Sequence, residues 1–143
     1  MRPPDPPAGV DVIGDLLQKA RVVAVVGLSP DPGRESYQIA AYLQQAGYEI
    51  VPVNPKAESI LGRRSYPGLD ALPQPPEVVQ IFRSPEHVPA IVEAAIAIGA
   101  KAVWMQVGIR HDGAAERARR AGLLVVMDDC MRRHHRLRHA MPR

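Results

Sequence analysis

The sequence predicts an α/β protein: a doubly wound parallel sheet of five strands, order 3-2-1-4-5, with helices on both faces. Three observations predict it. Five short apolar runs recur along the chain, and none alternates with polar residues, which is the pattern of strands buried on both faces. Stretches with helical spacing separate most of these runs, so strand and helix alternate as right-handed parallel crossovers require. At 143 residues the chain fits one domain, and a domain of that size builds a core without staples.

The elements follow in order. Residues 1–10 are expected to be a flexible leader, since the first nine hold four prolines and a glycine. The single domain then covers residues 11–143. Asp11 caps a short helix to about Ala20, with Val12, Ile13, Leu16 and Leu17 on one stripe. Arg21–Gly27, RVVAVVG, is the first strand. A loop rich in Ser, Pro and Gly leads to a helix opening at Glu35 or Ser36. Ile39, Ala40, Leu43 and Ala46 keep its helical spacing, and Gly47 ends it. Tyr48–Val53 is the second strand, stopped by Asn54-Pro55. Residues 54–76 carry no long helix and cross over as loop and short turn. Glu77–Phe82 is the third strand, and Ser84-Pro85-Glu86 starts a helix that runs to Gly99. Ala102–Gly108 is the fourth strand. Asp112 caps a helix to Ala121, and Leu123–Asp128 is the fifth strand. The remainder, with Met131 and Leu137, forms a last helix.

Composition removes several function classes. No apolar run approaches the length of a membrane span. The first residues hold no apolar core of a secretory signal. One cysteine forbids an internal disulfide and fits a reducing compartment, so the expected location is cytoplasmic. Aromatic residues are 4%, too few for the stacking platforms of single-stranded nucleic-acid binding. The net charge of +3 reflects the end of the chain, RRHHRLRHAMPR, which has five arginines and no acid. The body is close to neutral, so no basic face spans the fold, and neither nucleic acid nor membrane is an expected partner.

Ligands of an open parallel sheet lie beyond the carboxyl ends of the strands, where strand order reverses. With the order above, that crevice falls between the first and fourth strands. In the first loop only Gly27 fits a dinucleotide fingerprint, with Ser29 and then Pro32 at the other glycine places. Gly27 turns the chain, Ser29 offers a hydroxyl and backbone N–H groups, and Arg34 adds charge near a helix N-terminus. After the second strand come Asn54, Pro55 and Lys56, without the carboxylate that holds the ribose in NAD proteins. A lysine there favours a phosphate-bearing ligand, or it is simply solvated. Arg83 ends the third strand and can clamp a phosphate or carboxylate, or lie on the surface. Gln106 sits in an apolar strand before Gly108, either facing ligand or tied to backbone.

On these residues the sequence resembles a known family. The stretches VVAVVGLSPDPGRESYQIAAYLQQAGYEIVPVNPKAESILGRRSYPGLDALP, VVQIFRSPEHVPAIVEAAIAIGAKAVWMQVG and AGLLVVMDDCM are similar to the small stand-alone CoA-binding proteins. Those proteins are similar in turn to the CoA-binding domains of the succinyl-CoA synthetase α subunit and of NDP-forming acyl-CoA synthetases. The resemblance covers about residues 12–136. It implies a Rossmann-like fold and coenzyme A as the ligand. By loop position it puts Gly27 and Ser29 near the diphosphate or pantetheine. It sets Asn54, Pro55 and Lys56 near the adenosine and phosphate end, Arg83 along the adenine or pantetheine path, and Gln106 and Gly108 near the pantetheine arm. The synthetases also carry an active-site histidine on a later domain, which nothing here matches, so their ligase activity is not carried over.

Cys130, His134, His135 and His139 stand within ten residues, beside Asp128 and Asp129. His135 and His139 share a helical face and offer two metal ligands, but no paired Cys-x-x-Cys joins them. A docked helix is the expected reading, with no metal. Neither a Ser-His-Asp set nor an acid/base carboxylate pair stands out. The expected function is therefore binding of CoA or acyl-CoA without evident catalytic machinery. Two alternatives stay open: a nucleotide-binding subunit of an acyl-CoA-processing enzyme acting with a partner chain, and an NADP-type nucleotide binder using Lys56 and Arg34. A homo-oligomer is a further possible assembly.

Overall fold

The computed structural model describes residues 11–140. The expected leader at 1–10 lies outside them. Five helices occur among the described residues: α1 (Val12–Lys19), α2 (Glu35–Gln45), α3 (Val88–Ile98), α4 (Asp112–Arg120) and α5 (Met131–Ala140). Strands β1 (Val22–Val26), β2 (Glu49–Val53), β5 (Val78–Ile81), β6 (Ala102–Met105) and β7 (Leu124–Val126) form one parallel sheet. Strands β3 (Ser59–Ile60) and β4 (Arg63–Arg64) form a separate antiparallel hairpin. Its two turn residues, Leu61 and Gly62, both have positive φ, at 55° and 72°, as a tight two-residue hairpin needs.

The sheet is a Rossmann-like α/β arrangement in the order β2-β1-β5-β6-β7. The 3-2-1-4-5 pattern is present, but one segment takes a different place from that expected. The third place, beyond β2, goes to a single parallel bridge between Val53 and Tyr66. There the Asn54 N–H donates to Tyr66 O, and the Tyr66 N–H donates to Pro52 O. The chain then crosses back, so β5 pairs with the free edge of β1 and holds the fourth place. The reversal of strand order therefore lies between β1 and β5. Residues 54–76 make this crossover without a long helix, through the hairpin and a short 3-10 turn at Leu69–Ala71.

The unbroken apolar runs have a physical reason. Successive strand side chains point to opposite faces, and both faces are covered. Val23, Val25, Ile50, Val78 and Trp104 pack with Leu17, Ile39, Leu43 and Met131 from α1, α2 and α5. Ala24, Val26, Val79, Ile81 and Met105 pack with Val88, Val92, Ala95, Ala115 and Ala118 from α3 and α4. At the far end of the sheet from the crevice, Glu77 Oε1 accepts the N–H groups of Arg21 and Val22, which fixes β5 beside β1.

Candidate functional site

The carboxyl ends of β1, β2 and β5 open into a cleft of about 780 Å³. Gly27, Arg34, Asn54, Pro55, Lys56 and Arg83, six of the nine residues expected from sequence, line it. Its floor holds Val26 and Val53, the last residues of β1 and β2.

Gly27 brings the walls together. Its φ is +87° and its N–H donates to Val53 O at 3.0 Å. A Cβ at this position would lie 3.0 Å from Phe82 O and from Arg83 Cδ. Only glycine allows both the turn and this approach of the β1 and β5 loops. The next loop is braced from within. The Ser29 N–H donates to Ser36 Oγ, Ser29 Oγ accepts from the Asp31 N–H, and Asp31 Oδ1 accepts from the Gly33 N–H. Ser29 thus holds the loop's shape and does not line the cleft. Arg34 stands at the N-cap of α2 and makes no capping bond, which leaves first-turn N–H groups of α2 open.

Asn54 sits where a ribose-binding acid would stand, and its neutral amide bonds two backbone groups. Nδ2 donates to Leu28 O at 3.0 Å, and Oδ1 accepts the Lys56 N–H at 2.8 Å. Asn54 therefore staples the β1 loop to the β2 loop and sets where Lys56 begins. Arg34, Lys56 and Arg83 are exposed, and none has a carboxylate partner among the described residues. Three cations that make no ion pair among the described residues share one cleft.

The structure adds residues that sequence reasoning missed. Ala90, Ile91 and Ala94 of α3 form an apolar wall, and His87 and Pro67–Asp70 complete the lining. The signal for α3 was its composition. VPAIVEAAIAI is apolar beyond what one buried stripe needs, and the surplus faces the cleft. Pro67–Asp70 carried no local signal; the Val53–Tyr66 bridge brings them there.

Gln106 and Gly108 lie outside the cleft. Gln106 is 2% exposed, and its Oε1 accepts from Gln80 Nε2 and from the Met131 N–H, both at 3.0 Å. Gln80 Oε1 and Gln106 Nε2 are buried without a hydrogen-bond partner among the described residues. Gly108, with φ +84°, donates its N–H to Asp128 Oδ1 at 2.7 Å. Both residues join β6 to the start of α5.

The Cys/His/Asp group serves the same docking. Trp104 Nε1 donates to Asp129 O, and Asp129 Oδ2 lies 2.7 Å from His134 Nε2. His134 Nδ1 is 3.1 Å from an Arg138 guanidinium nitrogen, which can only donate. Nε2 therefore carries the ring proton and donates to Asp129. Burial pushes the Asp129 carboxyl up, but the His134 bond, the Cys130 N–H and nearby positive charge outweigh it and leave it low. Arg138 also binds both oxygens of Asp11, whose carboxyl is lowered to about 2 chiefly by that bond. Among the described residues no group of three or more His, Cys, Asp or Glu is placed to hold a metal ion. No described helix is long and apolar enough to cross a membrane.

Residues 21–136 match the CoA binding domain family. The Bacillus subtilis protein YneT, whose function is uncharacterized, is 35% identical over 123 residues, covering 86% of this chain and 91% of its own. A solved structure of a hypothetical protein from Pyrococcus horikoshii superposes with a TM-score of 0.86 at 38% identity, covering 96% of this chain and 98% of that one. An ADP-forming acetate–CoA ligase of Archaeoglobus fulgidus is 33% identical over 94 residues, which is 64% of this chain but 14% of the ligase.

Proposed function

The chain belongs to the CoA binding domain family, and on that premise we propose that it holds coenzyme A or an acyl-CoA in the cleft between β1, β2 and β5. One observation carries the reading: Arg34, Lys56 and Arg83 face a single cleft without carboxylate partners among the described residues, opposite an apolar wall of Ala90, Ile91 and Ala94. CoA has the matching chemistry. Its phosphates take the cations through charge-assisted hydrogen bonds, and its adenine or pantetheine packs on the apolar wall. Binding, in the cytoplasm, is the function proposed. The match to a small part of a ligase supports a second role, as the CoA-holding component of an acyl-CoA-processing assembly with a partner chain.

Calorimetry on the folded protein tests the reading, with CoA, 3′-dephospho-CoA and NADP as titrants. CoA is expected to bind, and to weaken when the 3′-phosphate is removed. Heat from NADP alone would favour a dinucleotide ligand. No heat from any of them would reject the proposal.

A further inference from the structure

One carboxylate shares the cleft with the three cations. Asp70 belongs to the 3-10 turn at Leu69–Ala71, and it is exposed. It makes no ion pair with Arg34, Lys56, Arg83 or His87 among the described residues. A ligand that offered only phosphate would be repelled by this group. A carboxylate has a use beside unpaired cations when the ligand has two ends, one anionic and one that donates hydrogen bonds. A nucleotide has both, since its ribose hydroxyl and its exocyclic amine are donors.

The position of Asp70 fits that use. In dinucleotide folds an acid at the end of the second strand takes the ribose hydroxyl. Here that place is held by Asn54, a neutral amide without a carboxylate's charge, which bonds Leu28 O and the Lys56 N–H. The Val53–Tyr66 bridge carries the chain past β2, and the turn then returns a carboxylate to the same cleft. The turn also leaves room for it. A Cβ on Gly68 would lie 2.9 Å from Asp70 Oδ1. Gly68 has extended backbone, φ −162° and ψ 169°, so no conformational demand requires glycine there. What a side chain at Gly68 would disturb is the Asp70 carboxylate.

We infer that Asp70 reads the hydrogen-bond-donor end of the bound nucleotide, taking over from the missing acid at the end of β2. The inference rests on the CoA reading of the cleft and adds a specificity residue to it. The donor is either the adenine amine or the ribose hydroxyl.

The test uses the full chain and four small titrants: adenosine 3′,5′-bisphosphate, its inosine analogue, its 2′-deoxy analogue and pyrophosphate. Asp70→Ala is expected to weaken adenosine 3′,5′-bisphosphate by about tenfold, the loss of one charge-assisted hydrogen bond. The same variant is expected to bind pyrophosphate more tightly, because a negative charge has left the cleft. Gly68→Ala should weaken the nucleotide in the same direction while keeping the wild-type melting temperature. The wild type should bind one analogue less tightly, and on that analogue Asp70→Ala should have no further effect. That analogue identifies the donor. If wild type binds CoA and Asp70→Ala binds the bisphosphate as tightly or more tightly, this inference falls alone. It also falls if the loss persists on both analogues. If wild type binds neither CoA nor the bisphosphate, the CoA reading falls and takes this inference with it.

Discussion

Gln106→Leu distinguishes a residue that holds the fold from one that meets the ligand. The side chain is 2% exposed, and its Oε1 is the shared acceptor for Gln80 Nε2 and the Met131 N–H. Leucine removes that acceptor and leaves two buried donors unpaired. Each orphan costs about 1–3 kcal/mol, so the gross loss is about 2–6 kcal/mol. Leucine also removes Nε2, which has no partner among the described residues, and adds apolar surface to a core that holds Leu28 and Met131. Those two gains return about 2 kcal/mol, leaving a net loss of about 0–4 kcal/mol, centred on about 2 kcal/mol. Gln80→Leu is a different perturbation. It removes one donor and an acceptor that has no partner, while Gln106 Oε1 keeps the Met131 N–H. Its loss should stay within about 1 kcal/mol. Urea unfolding of both variants gives the ranking, and CoA titration of the folded proteins gives the ligand effect. Gln106→Leu should be the less stable, with CoA affinity within about twofold of wild type for both, less than 0.5 kcal/mol or so. A Gln106→Leu protein as stable as wild type but about tenfold weaker for CoA would refute this reasoning and return Gln106 to the ligand.

Three further outcomes are expected. Gly27→Ala places a side chain at φ +87° and a Cβ 3.0 Å from Phe82 O; the conformation alone costs about 1–2 kcal/mol, so melting temperature and CoA affinity should fall together, and an unchanged melt would show that the turn relaxes. Lys56→Ala and Arg83→Ala should each weaken CoA by about 1–3 kcal/mol without lowering the melting temperature, since both side chains are exposed; unchanged affinity in both would mean that the phosphates lie elsewhere. Stability should fall in two steps on acidification. Burial, then the charge of His139, lowers His135 below the 6.5 of the unfolded chain, so the unfolded state protonates first and stability is lost as pH falls below 6.5. Asp11, at about 2 against 3.8 unfolded, contributes stability above 3.8 that is lost as pH falls towards 2. Melting temperature against pH reads both steps, and His135→Asn should flatten the upper one.

The sheet was legible because its strands are buried on both faces. Runs such as Val22–Val26 and Ala102–Met105 are apolar throughout, and Val78–Ile81 is interrupted only by Gln80. Strand neighbours were less legible. Nothing local in Tyr66 marks it as a one-residue strand, yet its bridge to Val53 decides that β5 lands beside β1. The place of Arg34, Lys56 and Arg83 in the cleft was readable because strand ends and the loops that follow them define the crevice. The sequence offers Ser29 to an anion and leaves Gln106 either facing ligand or tied to backbone. Their partners are Asp31 and Ser36 for Ser29, and Gln80 and Met131 for Gln106, supplied by contacts that spacing along the chain does not show.

The division of labour around Asn54 explains why the absent acid was an ambiguous sign. An acid at the end of the second strand does two things in a dinucleotide fold: it holds the ribose and it occupies the seam between two loops. Here Asn54 performs the second task. A carboxylate could accept the Lys56 N–H but could not donate to Leu28 O, so Asn54→Asp would break one bond and set a buried carbonyl against a negative charge. The amide is therefore the residue that lets the β1 loop and the β2 loop close on each other. On the proposed reading, recognition falls to groups that line the cleft, Lys56 just after the staple and Asp70 after the Tyr66 bridge. Because these groups have no structural duty of their own, their removal should change affinity without changing stability, whereas removing Asn54 should change both.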